Sequence, residues 1–120
     1  MRLNHLDLAV REIGPTRDFF VRFFGLTHVQ TLGEDGLAIL KDDDGFTLVL
    51  SRLRRTGGQV YPDGFHVGFH LKDRASVIAL HQRLRAESTV DASEPTLQRG
   101  AFSFYFTAPG QILVEVAQRD

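Results

Sequence analysis

Histidine is the side chain best suited to chemistry near neutral pH, and this chain sets one at the head of each of two matching segments. His5 sits in Leu3-Asn4-His5-Leu6-Asp7-Leu8-Ala9-Val10, and His66 in Phe65-His66-Val67-Gly68-Phe69-His70-Leu71. Both stretches alternate as strands do. Residues 66, 68 and 70 share one face, and residues 65, 67, 69 and 71 share the other. The second face is wholly apolar and belongs to a core. The first carries two imidazoles and a glycine, which is poor core material. In the N-terminal stretch His5, Asp7 and Ala9 share the polar face. Imidazoles so displayed ligate a metal, move protons, or serve as partnered polar groups.

The elements that must position these residues form a repeated plan. Residues 3–10 read as a strand, and Gly14-Pro15 opens a helix, proline being acceptable in a first turn. That helix carries Phe19, Phe20, Phe23 and Phe24 as an apolar stripe and closes at Gly25. Short strands follow at 27–32, 37–41 and 46–52, separated by turns at Gly33–Gly36 and Asp42–Gly45. The three aspartates of the second turn lack the loop and terminal glutamate of a calcium site, so a hairpin is the better reading. After a glycine-containing connection, the strand at His66 runs into Asp73, a helix N-cap. The next helix sets Val77, Leu80 and Leu84 on one side. A weak strand is expected within 87–99, then clear strands at 101–107 and 111–117. His5 and His66 are 61 positions apart and Gly45 and Gly110 are 65 apart, so the halves superpose with a small insertion. The spacing predicts an internal duplication of two βαβββ modules.

Composition bounds the function. With 120 residues the chain is one domain's worth, and 42% hydrophobic and 24% charged residues fit an ordinary globular protein. A net charge of −1 gives no field toward nucleic acid or an anionic membrane. With no cysteine, thiolate metal sites, disulfides and thiol nucleophiles are excluded. No apolar run reaches a membrane span and no signal-peptide core opens the chain, so a cytoplasmic protein is expected.

Leu3–Val10, the helix ending Phe24-Gly25-Leu26, Gly64-Phe65-His66-Val67, and the closing run from Phe104 through Ala108-Pro109-Gly110 to Leu113-Val114-Glu115-Val116 together resemble the vicinal oxygen chelate superfamily. That group includes glyoxalase I, extradiol dioxygenases, fosfomycin-resistance thiol transferases and bleomycin-resistance binding proteins. The resemblance covers essentially the whole chain. It implies an α+β fold in which two βαβββ modules form a cup-shaped mixed sheet: module one at 1–53, a linker at 54–64 and module two at 65–120, in a single domain. It also implies a divalent metal held by His5, His66 and Glu115. The fourth position of the pattern, counted from the turn glycines, falls five residues beyond Gly45 on Leu50, as Glu115 falls five beyond Gly110. Leucine cannot ligate, so Leu50 is assigned to the substrate side of the cup. Two imidazoles and one carboxylate leave coordination positions for water and substrate and suit Fe, Mn, Zn or Ni.

Further candidates follow. Asp7 lies two residues beyond His5 on the same face, able to orient a ligating imidazole or act as a base. His70, two same-face steps beyond His66 and too far along to be an obvious second ligand on the same metal, is the candidate for proton transfer. Tyr105 and Ser103 share a face in the strand before that of Glu115 and can contact substrate oxygens. Tyr61, Arg99 and the arginines at 52, 54 and 55 can close over an anionic substrate, although a solvated loop is the simpler reading of the arginine run. The resemblance thus implies a metal-dependent lyase, a thiol transferase of the fosfomycin-resistance type or a ring-cleaving dioxygenase. The substrate is a small oxygen-rich molecule, and the protein a homodimer. The contrasting reading is a metal-free binding protein of the bleomycin-resistance type.

Overall fold

A computed structural model describes residues 1–52 and 61–120. Arg54 and Arg55, and most of the expected linker, lie outside the described residues. The chain divides into two compact units, Met1–Val60 with Pro109–Gln111, and Tyr61–Ala108 with Ile112–Asp120.

In the first unit, β1 (His5–Val10) leads to α1 (Ile13–Phe24), then β2 (Thr27–Leu32), β3 (Leu37–Lys41) and β4 (Thr47–Arg52). The sheet order is β1-β4-β3-β2, with β1 parallel to β4 and the other pairs antiparallel. Leu8 and Val10 of β1, Leu48 and Leu50 of β4 and Ala38 and Leu40 of β3 are buried together on one face. The α1 stripe of Phe19, Phe20 and Phe23 is buried as well, and α1 packs on β3 and β4. Each such side chain contributes about 1.5–3 kcal/mol by leaving water. His5, Asp7 and Ala9, with their register partners Thr47, Val49 and Ser51, take the opposite face. Gly25, at φ 67°, ends α1 in the left-handed conformation expected of a C-cap glycine.

The second unit repeats the plan with β5 (His66–His70), α2 (Arg74–Glu87), β6 (Thr96–Gln98), β7 (Ala101–Ala108) and β8 (Ile112–Gln118) in the order β5-β8-β7-β6. Phe104, Phe106, Val114 and Val116 are buried on the face that α2 covers. His66, Gly68, Tyr105 and Glu115 share the other, by register. The expected α2 stripe is corrected at one point. His81 rather than Leu80 joins Val77 and Leu84 in the buried set, because helical spacing brings its ring edge-on to Phe104 with centroids 5.1 Å apart. Two four-stranded mixed sheets with one helix each are the expected α+β architecture.

Asp73 caps α2 by accepting a 2.8 Å hydrogen bond from the Ser76 backbone N–H. Its hydrogen bonds with Ser76, aided by Lys72, hold its carboxyl below the usual carboxylate range. A depressed folded value stabilises the protein above the unfolded value near ~3.9, and that stability is lost as pH falls through the folded one. Asp73→Ala should therefore melt below wild type at neutral pH, and the gap should close below about pH 4 in melting curves taken across pH.

Candidate metal centre

The two histidines lie in different units but are prepared in the same way. His66 Nδ1 is 2.8 Å from the Gly64 carbonyl oxygen. A carbonyl only accepts, so Nδ1 carries a proton, and in the neutral ring Nε2 then keeps its lone pair. His5 Nδ1 is 2.8 Å from Asn4 Oδ1, which fixes the same tautomer. An imidazole whose inner N–H is taken up by an oxygen, leaving Nε2 free, is the arrangement found in metal-ligating histidines. The sequence carried this signal in Asn4 and Gly64, each within two residues of its histidine, and the reading from face alternation passed over both.

In the second unit the ring of His66 faces a carboxylate. Its Nε2 stands 4.0 Å from Glu115 Oε1, wider than a hydrogen bond, and the side chains keep 33% and 12% exposure. They are shielded but reachable. The register explains how Glu115 gets there. Gly68 is its partner across β5 and β8, and a Cβ on Gly68 would stand 3.4 Å from Oε1, in ordinary van der Waals contact, so a side chain larger than alanine there would crowd the carboxylate. Glu115 Oε2 accepts a hydrogen bond of 2.5 Å from the Tyr105 hydroxyl. That hydrogen bond, then burial, then the nearby charge of Glu115 push the Tyr105 phenol above its ordinary value, so it remains a donor. The assignment of Tyr105 to substrate is therefore revised: its hydroxyl is committed to the carboxylate.

The first unit holds the other candidates. Asp7 Oδ1 accepts a 2.6 Å hydrogen bond from the Ser51 hydroxyl. Asp7 does not orient His5, whose Nδ1 is met by Asn4. Asp7 instead lines a cleft of about 760 Å³ with Ala9, Glu34, Gly36, Leu37, Ser51 and Arg52. The Arg52 guanidinium is tied to the Glu34 and Asp35 carbonyl oxygens at 2.8 and 3.0 Å.

Two assignments are corrected by burial. Leu50 has no exposure and lies on the helix side of its sheet, away from His5 and Asp7. Because His5 pairs with Thr47 and His66 with Leu113, the counterpart of Glu115 is Val49, not Leu50. Ser103 shares the Tyr105 face but is fully buried, its hydroxyl unpartnered among the described residues, so it cannot meet substrate. Tyr61 stacks on Phe65, with ring centroids 4.6 Å apart and planes at 7°. Arg99 sits exposed at φ 50° in the β6–β7 turn. His70, exposed at the end of β5, is about 13 Å along the strand from His66, too far to share a metal with it. Among the described residues no group of three His, Cys, Asp or Glu side chains gathers as a metal cage. His66 and Glu115 form a pair, whose donor set of one imidazole lone pair and one carboxylate oxygen fits a divalent cation.

The model of the Glyoxalase/Bleomycin resistance protein/Dioxygenase superfamily matches residues 2–116. The chain belongs to that superfamily. Among solved structures, superfamily resemblance is strong to a possible glyoxalase of Bacillus cereus, at 33% identity and a TM-score of 0.86 over 98% of each chain. A lactoylglutathione lyase of Agrobacterium tumefaciens shares the fold at 20% identity and a TM-score of 0.76, over 98% of this chain and 92% of the other. A genomically encoded fosfomycin resistance protein of Listeria monocytogenes does so at 18% identity and a TM-score of 0.78, over 100% of this chain and 94% of the other. No curated protein matches the chain. Among the described residues no helix is long and apolar enough to cross a membrane.

Proposed function

We propose that this superfamily member is a divalent-metal-dependent enzyme acting on a small, oxygen-rich molecule that chelates the metal through adjacent oxygens. His5, His66 and Glu115 hold the ion, which is Fe, Mn, Zn or Ni. The observation that carries this reading is the shared tautomer: both imidazoles spend Nδ1 on a neighbouring oxygen and keep Nε2 as a donor, and one of them faces a carboxylate oxygen. A bound ion would act as a Lewis acid on a substrate oxygen.

The chain's own residues supply the rest. Asp7 is the proton carrier: Ser51 occupies Oδ1, which leaves Oδ2 to take a proton from substrate in the cleft. His70, exposed on the face of His66, is the second proton carrier, and Tyr61 and Arg99 border the substrate. This division of labour suits a lyase or a thiol transferase, and the description of the Bacillus cereus relative as a possible glyoxalase supports the lyase side. The protein works as a homodimer. Val29 and Leu32, exposed on the edge strand β2, support that reading.

Metal content decides the matter in protein purified without added metal or a metal-binding tag. Wild type should hold near-stoichiometric metal, and His66→Ala and Glu115→Ala should lose it. Metal retained in both variants would refute the ligand set. Wild type that also refuses added Mn(II), Zn(II), Ni(II) and Fe(II) would favour the metal-free binding protein.

A further inference from the structure

We infer that Tyr105 and Gly68 act together as positioning residues that make Glu115 a single-oxygen ligand. The inference rests on the metal reading above and concerns what the second unit does to its carboxylate. Glu115 lies on β8 between two register partners, Tyr105 on antiparallel β7 and Gly68 on parallel β5. Directly opposed side chains across paired strands stand about 5 Å apart, close enough for a phenol to reach a carboxylate. Tyr105 takes Oε2 at 2.5 Å. On the other side a Cβ at Gly68 would already rest 3.4 Å from Oε1, in van der Waals contact, so a larger side chain would press on the oxygen that turns toward His66 Nε2 at 4.0 Å. The Tyr105 ring also packs edge-on against the His66 ring, with centroids 5.6 Å apart and planes at 80°. One aromatic side chain thus fixes the imidazole by packing and the carboxylate by a hydrogen bond.

A carboxylate free at both oxygens can wrap an ion and fill two coordination positions, as carboxylates do around calcium. Held through Oε2, Glu115 offers one. A bound ion would then keep more of its coordination positions for the oxygens of a chelating substrate. Tyr105 is therefore a determinant of substrate access as well as of metal affinity.

Mn(II) titration of metal-free protein, followed by its electron paramagnetic resonance signal and by chelator competition, tests this. Tyr105→Phe keeps the ring and its packing but frees Oε2. It should bind Mn(II) about 10–100-fold more weakly than wild type, the usual loss when an outer hydrogen bond to a ligand is removed. The metal-free proteins should melt within a few degrees of each other, while the rise in melting temperature on adding Mn(II) shrinks in the variant. Gly68→Val, which fills the space beside Oε1, should lose Mn(II) by the opposite route and serves if Tyr105→Phe folds poorly. Wild-type Mn(II) affinity in Tyr105→Phe, or in Gly68→Val where Tyr105→Phe does not fold, overturns the inference alone. Wild type that binds no Mn(II), Zn(II), Ni(II) or Fe(II) overturns the metal reading and this inference with it.

Discussion

Leu50→Glu is expected to leave little folded protein, whereas Val49→Glu, one residue earlier, is expected to fold. Both place a carboxylate on β4, where the four-ligand pattern of the superfamily would have its remaining donor. Leu50 has no exposure and packs on the helix side among Leu8, Ala38, Leu40 and Leu48. An ionised carboxylate there has no partner, and burying one costs several kcal/mol even after relaxation. That is a large share of the roughly 5–15 kcal/mol that holds a domain together. Val49 is half-buried on the other face, opposite Asp7 in the parallel register. A glutamate there meets the charge of Asp7, a repulsion of about 0.2–1 kcal/mol across paired strands. A divalent cation held as the proposed function requires would relieve it, so on that reading Val49→Glu should also gain thermal stability from Mn(II). Thermal unfolding of both variants with and without Mn(II) gives the comparison. Leu50→Glu that folds as well as Val49→Glu would show the two faces of β4 to be reversed.

The same one-residue slip shows how far the sequence could be read. The duplication, the strand–helix order and the polar face bearing His5 and His66 were legible, because alternation and the Phe-rich stripe are properties of the local chain. Counting from turn glycines to the fourth ligand position was not safe. Gly45 is followed by one residue, Phe46, before Thr47 pairs with His5. Gly110 is followed by Gln111 and Ile112 before Leu113 pairs with His66. The glycines hold different places in their turns, and a strand register displaced by one residue exchanges the two faces. Ser103 failed for another reason. Alternation gave its face correctly, but packing around β7 buries it completely, and depth is set by residues far apart in sequence. Tyr105 was found, yet its role depends on Glu115 ten residues away, which only the β7–β8 register brings opposite. His81 was missed because Leu80 is the more apolar residue, although spacings of four and three from Val77 to His81 to Leu84 suit one helix face better.

Gly110→Ala is expected to be among the most damaging single-methyl changes in the first unit, which takes in Pro109–Gln111. Gly110 has φ 86°, a conformation that side chains other than hydrogen strain to adopt. A Cβ there would also stand 2.6 Å from Thr16 Oγ1 and 3.1 Å from Val10 Cβ and Cγ1. Neither neighbour yields easily. Thr16 is fully buried, with its hydroxyl donating to the Glu12 carbonyl at 2.6 Å, and Val10 is fully buried in β1. The backbone term is about 1–2 kcal/mol and overpacking adds about 1–3. Gly33→Ala separates the two terms, because Gly33 has a similar φ of 65° but nothing within 4 Å of the added carbon. Urea unfolding of both variants should show unchanged slopes, a modest loss for Gly33→Ala and about twice that loss or more for Gly110→Ala. Equal losses would mean that the turn gives way without disturbing Thr16 and Val10, and backbone conformation alone would then account for the glycine. A larger loss at Gly110 would establish that this glycine is packed against Thr16 and Val10 within the first unit as tightly as a core residue, which no count of turn residues in the sequence could reveal.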